Sequence, residues 1–252
     1  LGLLFSEWER TLQKKFTRII GMLFPIMLIM FIFTLDTGQY NYSQKVAINS
    51  LNFRVFLLSK FFFVINMIII PILSIDSINR EYVSGSLRLV AIRPVKIINI
   101  LFSKWIVWIG VILSLVFVIW LAGIVGSKFV PQVDFTTFYF EKASNFNGQA
   151  AFMYEIKYYI FIALIMIASL GISSLISMLC PNAVIAYTVY FVGVMALMYI
   201  KAEFMFFTVG DKMLFEYLHT GQELRVLVFL VTIIIISYLS SLLVWYKRSW
   251  LR

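Results

Sequence analysis

Residues Trp105–Val125 read WIVWIGVILSLVFVIWLAGIV, 21 residues without a single charge. A helix of about 20 such residues crosses the ~30 Å hydrocarbon core of a bilayer. Working outward, five more runs of this kind flank it: Ile19–Leu35 and Leu57–Ser77 before it, and Tyr158–Leu179, Ala183–Ile200 and Val226–Tyr246 after it. The whole chain of 252 residues agrees, with 62% hydrophobic and 13% charged residues. A soluble domain carries about 25% charged residues, so these charges cannot cover a soluble surface. Lipid offers no partners to the backbone, so the spans must satisfy it internally as helices. The two-residue alternation of a membrane β-barrel is absent. The expected fold is an all-α integral membrane protein with six spans, forming one domain over residues 1–252.

Charge placement orients the bundle. An even number of spans puts both ends of the chain on one side. That side holds Arg10, Lys14, Lys15, Arg18, Arg80, Arg88, Arg93, Lys96, Lys104, Lys247, Arg248 and Arg252, twelve basic residues against four acids, while the other side has nine against eight. The positive-inside rule then places both termini in the cytoplasm of a multi-pass cell-membrane protein. The formal charge of +9 is thus a topology signal. Nucleic-acid binding needs a basic solvated domain, and no segment is long enough to make one.

The flanks carry shorter elements. Over residues 1–18, Leu4, Phe5, Trp8, Leu12 and Phe16 share one helical arc while Glu7, Arg10, Lys14 and Arg18 share another, the pattern of an interfacial helix. A simple anchor and an elbow touching a cytoplasmic partner are the open alternatives. In the loop 36–56, Arg54, with Lys60 beyond it, is expected to snorkel to headgroups. Asn41-Tyr-Ser43 is a glycosylation triplet of a kind common by chance, and residues 126–157 mix aromatics and charges into a small cap. Cys180-Pro181-Asn182 makes a tight turn between the fourth and fifth spans, which are therefore antiparallel neighbours. Lys201–Arg225 is too apolar for a free loop and too charged for a span. Re-entrant helices before the last span are expected there, with an amphipathic surface helix as the alternative. The one cysteine excludes an internal disulfide, and no small-residue cleavage site follows the first span.

Several chemistries are missing. The sequence has no G-x-x-x-x-G-K-[ST] and no H-E-x-x-H, so neither a P-loop nor that zinc motif is available. One histidine, His219, and one cysteine make no metal cluster. The spans as bounded above carry ionisable residues only near their ends, Lys60 and Asp76, which disfavours ion-coupled transport. The chain is not expected to be an enzyme or to hold a cofactor.

One segment names a class. Residues 76–104, between the second and third spans, carry Arg80, Arg88, Arg93, Lys96 and Lys104. Glu81 and Gly85 lie four apart on one helix face, and Gly85 permits close approach. Arg93-Pro94 ends one element, because the residue before proline avoids the α region. The result is a short helix lying across the membrane face, bracketed by breaks, that offers Leu87, Leu89 and Val90 as apolar contacts and Arg88 and Arg93 as charged ones. An ordinary positive-inside loop is the bland alternative. The segment resembles the loop E-x3-G-[ST]-[LM]-x6-P-x9-K of ABC-2-type (ABCG-like, type V) transporter permeases, with Glu81, Gly85, Ser86, Leu87, Pro94 and Lys104 at its spacing. It departs at Ile97, where a basic residue is common; Lys96 stands one position earlier.

The resemblance implies an ATP-driven exporter. Two permease subunits, identical or different, pair around a path, and each meets a separate cytoplasmic ATPase subunit that holds ATP and Mg. The contact falls to Glu81, Gly85, Leu87, Arg88, Arg93 and Pro94, with Cys180, Pro181 and Asn182 as a second contact. Candidates for the path are Asn66 and Pro71 in the second span, Ser169 and Ser173 in the fourth, and Tyr187, Tyr190 and Phe191 in the fifth. Pro71 frees a carbonyl that Asn66 could answer. The stripe Ser169, Ser173, Ser177 beside Gly171 suits helix packing as well as a substrate surface. Such an apolar path suits an amphipathic peptide, a peptide antibiotic or a lipid-like molecule. The Ile-, Phe- and Lys-rich composition suggests a bacterial source. The rivals are an ATP-independent channel or secondary carrier, an intramembrane enzyme and a non-transporting scaffold.

Overall fold

The computed structural model describes residues 2–34, 40–41, 46–80, 97–138 and 145–247. Six helices among the described residues are long and apolar enough to cross a membrane. The chain opens with α1 (Gly2–Gln13) and turns at Lys14 into α2 (Lys15–Thr34), the first span. The second span is α3 (Phe53–Val64), a π-helical turn (Ile65–Ile69), α4 (Ile70–Ile75) and a second π turn (Asp76–Arg80) in one continuous run. The third is α5 (Ile97–Gly126), closed by a 3-10 turn, and the fourth is α6 (Gly148–Leu179). α7 (Ala183–Ile200) is the fifth; a 3-10 turn (Ala202–Met205) and α8 (Phe206–His219) lead to the sixth, α9 (Glu223–Lys247). Two-residue antiparallel pairs, Tyr40–Asn41 with Val46–Ala47 and Phe135–Thr136 with Phe146–Asn147, sit in the loops.

The fourth helix starts ten residues before the expected Tyr158. The Asn147 side chain accepts from the Ala150 N–H at 2.9 Å, which caps the first turn and carries the helix through Glu155 and Lys157. The second and fourth spans form the centre of the bundle and are mostly buried, whereas the first, third, fifth and sixth turn most of their surface outward. Exposed Met22, Ile26, Met30 and Phe33 on α2, and Leu227, Ile235, Leu239 and Leu243 on α9, fit a hydrocarbon surrounding and not water.

α6 meets its neighbours through two faces of small residues. One faces α4: the Ser173 and Ser74 hydroxyls are 2.7 Å apart, and Ser177 Oγ donates to Ile75 O at 3.3 Å. The other faces α9, where a Cβ at Gly171 would overlap Ser237 Oγ and stand 2.8 Å from the Tyr238 ring, so only glycine allows this approach. Ser174 and Ser241 bridge the same seam at 3.4 Å.

Ile78, Ile100, Leu101, Trp105, Met178 and Trp245 pack into one cluster. The ends of the second, fourth and sixth spans thus meet the start of the third, so the helices alternate in direction. α1 joins the same end through Glu7 and Lys104. We call this the lower end.

Candidate functional site

At the lower end, Glu81, Gly85, Leu87, Arg88, Arg93 and Pro94 lie outside the described residues. The root of that segment is described. Asn79, two positions before Glu81, is buried, and its amide donates to Ser177 O at 3.0 Å and to Cys180 O at 2.9 Å. The last carbonyls of a helix have no partner within it, and Asn79 supplies one to the end of α6. Cys180 is buried while Pro181 and Asn182 are exposed. Asn182 Oδ1 accepts from the Ile185 N–H at 2.8 Å and caps α7. The structure therefore joins the exit of the second span to the turn 180–182.

Lys104, the last residue of the loop motif, is also described, and it points inward. Its Nζ lies 3.1 Å from Glu7 Oε2, and Arg10 Nη1 lies 2.8 Å from Glu7 Oε1. α1 is thereby turned with Glu7 and Thr11 buried while Phe5 and Leu12 face outward and the partly exposed Trp8 ring lies against Gly110 of α5. Of the arc read as polar, Glu7 is buried, Arg10 and Lys14 are partly exposed and Arg18 is exposed, so part of that arc shares in the packing. Such a helix is stable only where its outer side meets apolar surroundings.

Mid-bundle, Asn66, Pro71, Ser169, Ser173 and Tyr190 are buried, and Tyr187 and Phe191 are partly exposed. Asn66 does not answer the carbonyl freed by Pro71. In the π turn, N–H groups reach back five residues, as Ile70 N–H does to Ile65 O, so the missing N–H of Pro71 leaves Asn66 O open. The Tyr190 hydroxyl donates to Asn66 O at 3.5 Å, and the Tyr187 hydroxyl to Met67 O at 3.4 Å. The Asn66 amide donates instead to Phe207 O at 2.7 Å. These residues hold one polar junction among the second span, the fifth span and α8. Within this chain the path candidates Asn66, Ser169, Ser173 and Tyr190 fill the interior and do not line an open surface.

At the upper end Arg54 does not snorkel. Its guanidinium lies 3.1 Å from Glu155 Oε2, its backbone and Cγ press on the α5 face where Gly123 leaves room, and Trp120 Nε1 donates to Glu155 Oε1 at 2.7 Å. Tyr159 OH donates to Arg54 O at 2.9 Å. Second, third and fourth spans are thus tied around one buried carboxylate. The cap is stitched by Asn52, whose amide donates to Ala47 O and Thr137 O at 2.9 and 3.3 Å, and by the stacked Phe138 and Tyr154 rings.

α8 packs between α3 and α6 and is kinked at Val209, whose backbone is non-helical. Gly210 lies against Phe62 and Ile165. Asp211 is 7% exposed and accepts a 2.6 Å hydrogen bond from Ser59 Oγ. Burial pushes its carboxyl above the ordinary range; the Ser59 bond, the Lys212 amide and the Lys212 charge oppose this without cancelling it. By contrast, the backbone amide of Glu203 and then Arg225 hold the partly exposed Glu203 carboxyl below the ordinary range. His219 is exposed. No group of three metal-ligating side chains occurs among the described residues.

No protein-family model matches the chain, and no curated protein matches it. Glu155 and Asp211, the two buried acids of the upper half among the described residues, were missed as candidates from the sequence.

Proposed function

We propose that this chain is the membrane subunit of an ABC-2-type exporter. It pairs with a second permease subunit, identical or not, and takes its energy from a separate cytoplasmic ATPase that binds ATP and Mg. The observation that carries this reading is the spacing of Glu81, Gly85, Ser86, Leu87, Pro94 and Lys104. Asn79 supports it, because it ties the root of that segment to Cys180–Asn182, so both proposed ATPase contacts share one end. On this reading the lower end is cytoplasmic, in keeping with its basic excess, the membrane is a bacterial cell membrane, and α1 is the elbow helix. α8 is the re-entrant element, a reading supported by the bond from Asn66, midway along the second span, to Phe207 O. The cargo is an amphipathic peptide, a peptide antibiotic or a lipid-like molecule moved out of the cytoplasm or the membrane. With Asn66, Ser169, Ser173 and Tyr190 buried, Tyr187 and Phe191 are the path candidates left with exposed surface.

A second reading, an ATP-independent carrier, is favoured by the buried carboxyl of Asp211. The two are separated by co-purification from the native host followed by flux in vesicles. The exporter reading expects a P-loop ATPase to accompany the chain and flux to require ATP. Glu81→Ala and Pro94→Ala should insert normally and lose most of the transport-stimulated ATPase activity. Flux by the chain alone, or unchanged coupling in both variants, sinks the exporter reading.

A further inference from the structure

Among the described residues three acids are buried, Glu7, Glu155 and Asp211, and their surroundings differ. Glu7 has Lys104 and Arg10, and Glu155 has Arg54. Asp211 has a hydroxyl. From α3 it meets Ser59, whose neighbour Lys60 is exposed. From α6 it meets Tyr158, whose hydroxyl donates to the Asp211 carbonyl at 3.4 Å. On its own helix Lys212 adjoins and is exposed. The acids and bases of the 3-10 turn before α8 and of the start of α9 are engaged elsewhere: Glu203 with Arg225, and Glu223 with Lys157. Among the described residues no cation lies within ion-pair distance of the Asp211 carboxyl.

An isolated carboxylate removed from water is costly, and such a group takes up a proton instead. The carboxyl sits two residues beyond the Val209 kink, on a helix anchored by Asn66 on one side and by stacking of Tyr158 on Phe215 on another. Ionisation would place a charge in a seam where Ser59, the Lys212 amide and the adjoining Lys212 charge are its polar support and where these do not offset the burial. We infer that Asp211 is a proton-binding site, held as the neutral acid while α8 is packed against α3 and α6, and that loss of this proton loosens α8. The inference rests on this burial alone and not on the exporter reading.

The sign follows from linkage. The packed state holds the proton more tightly than the unfolded chain does. The Asp211 contribution is therefore complete below the ordinary carboxylate pKa of about 4 and is lost as pH rises from there through the raised value. The test uses the full chain in lipid nanodiscs. Infrared difference spectra should show a protonated-carboxyl band near neutral pH in wild type that is absent from Asp211→Asn. The apparent Tm of wild type should fall with rising pH by several degrees more than that of Asp211→Asn. Ser59→Ala, which removes a donor to the ionised form, should move the midpoint to higher pH, a shift that lost packing alone would not give. If Asp211→Asn does not accumulate, wild type against Ser59→Ala carries the same comparison. Identical bands and identical pH profiles in all variants would overturn the site. So would a Tm that tracks sodium at fixed pH, which would make the ligand a metal cation.

Discussion

Glu155 and Asp211 are buried on the upper side of the same helix bundle, yet the neighbours brought to them differ. Glu155 keeps its charge company, with a guanidinium at 3.1 Å and an indole N–H at 2.7 Å drawn from two other spans. Asp211 receives one hydroxyl. The first arrangement is a structural knot, because each of three helices loses a partner if it opens. The second is a titratable seam. What distinguishes them is the partner brought by the neighbouring helix, since both carboxyls are removed from water to a similar degree.

The comparison breaks most sharply at Glu155. Glu155→Ala leaves the half-buried Arg54 without its acid and should cost up to about 3–5 kcal/mol of stability, measured by reversible denaturation in mixed micelles. The double variant Arg54→Leu with Glu155→Leu should recover most of that loss; no recovery would mean that the pair is not the knot described here. At the lower end, Glu7→Gln should cost about 1.5–3 kcal/mol. Its effect should be local, because α1 can leave the bundle, and a change in Trp8 emission and in proteolysis within residues 2–13 would report it. Gly171→Ala tests the seam between α6 and α9 and should cost about 1–3 kcal/mol through overlap with Ser237 and Tyr238. The smallest effect is expected at Asp211. In acid, Asp211→Asn should stay within about 1 kcal/mol of wild type, and the two should diverge as pH rises.

The spans were legible because hydropathy reports length and burial in lipid directly. Over their described residues the six expected runs fall on helices, and the tight turn at Cys180-Pro181-Asn182 joins α6 to α7. Glu155 was lost because a span read from hydropathy stops where charges begin, at Tyr158, while the helix itself runs back to the Asn147 cap. That cap was the available signal. Asp211 could have been found on a helical wheel: Phe207, Asp211, Leu214, Phe215 and Leu218 share one arc of α8, and all are buried. An acid in the middle of an apolar arc is a buried acid. The orientation of α1 was harder, because Lys104 lies 97 residues from Glu7, and periodicity within one helix does not say which neighbour will claim its polar edge. The same limit applied at Pro71. The freed carbonyl was foreseen, but its partner came from a tyrosine 124 residues away.

Asn79 makes one amide serve two carbonyls of a different span. The last turn of the second span and the turn from fourth to fifth are therefore cross-braced, and a load applied at Asn79 would meet the end of α6 and the start of the turn into α7 before it climbs the bundle. Because Tyr187 and Tyr190 of α7 reach back to the π turn, the load closes a loop, returning to the second span half-way up at the point where its helical ladder is already interrupted.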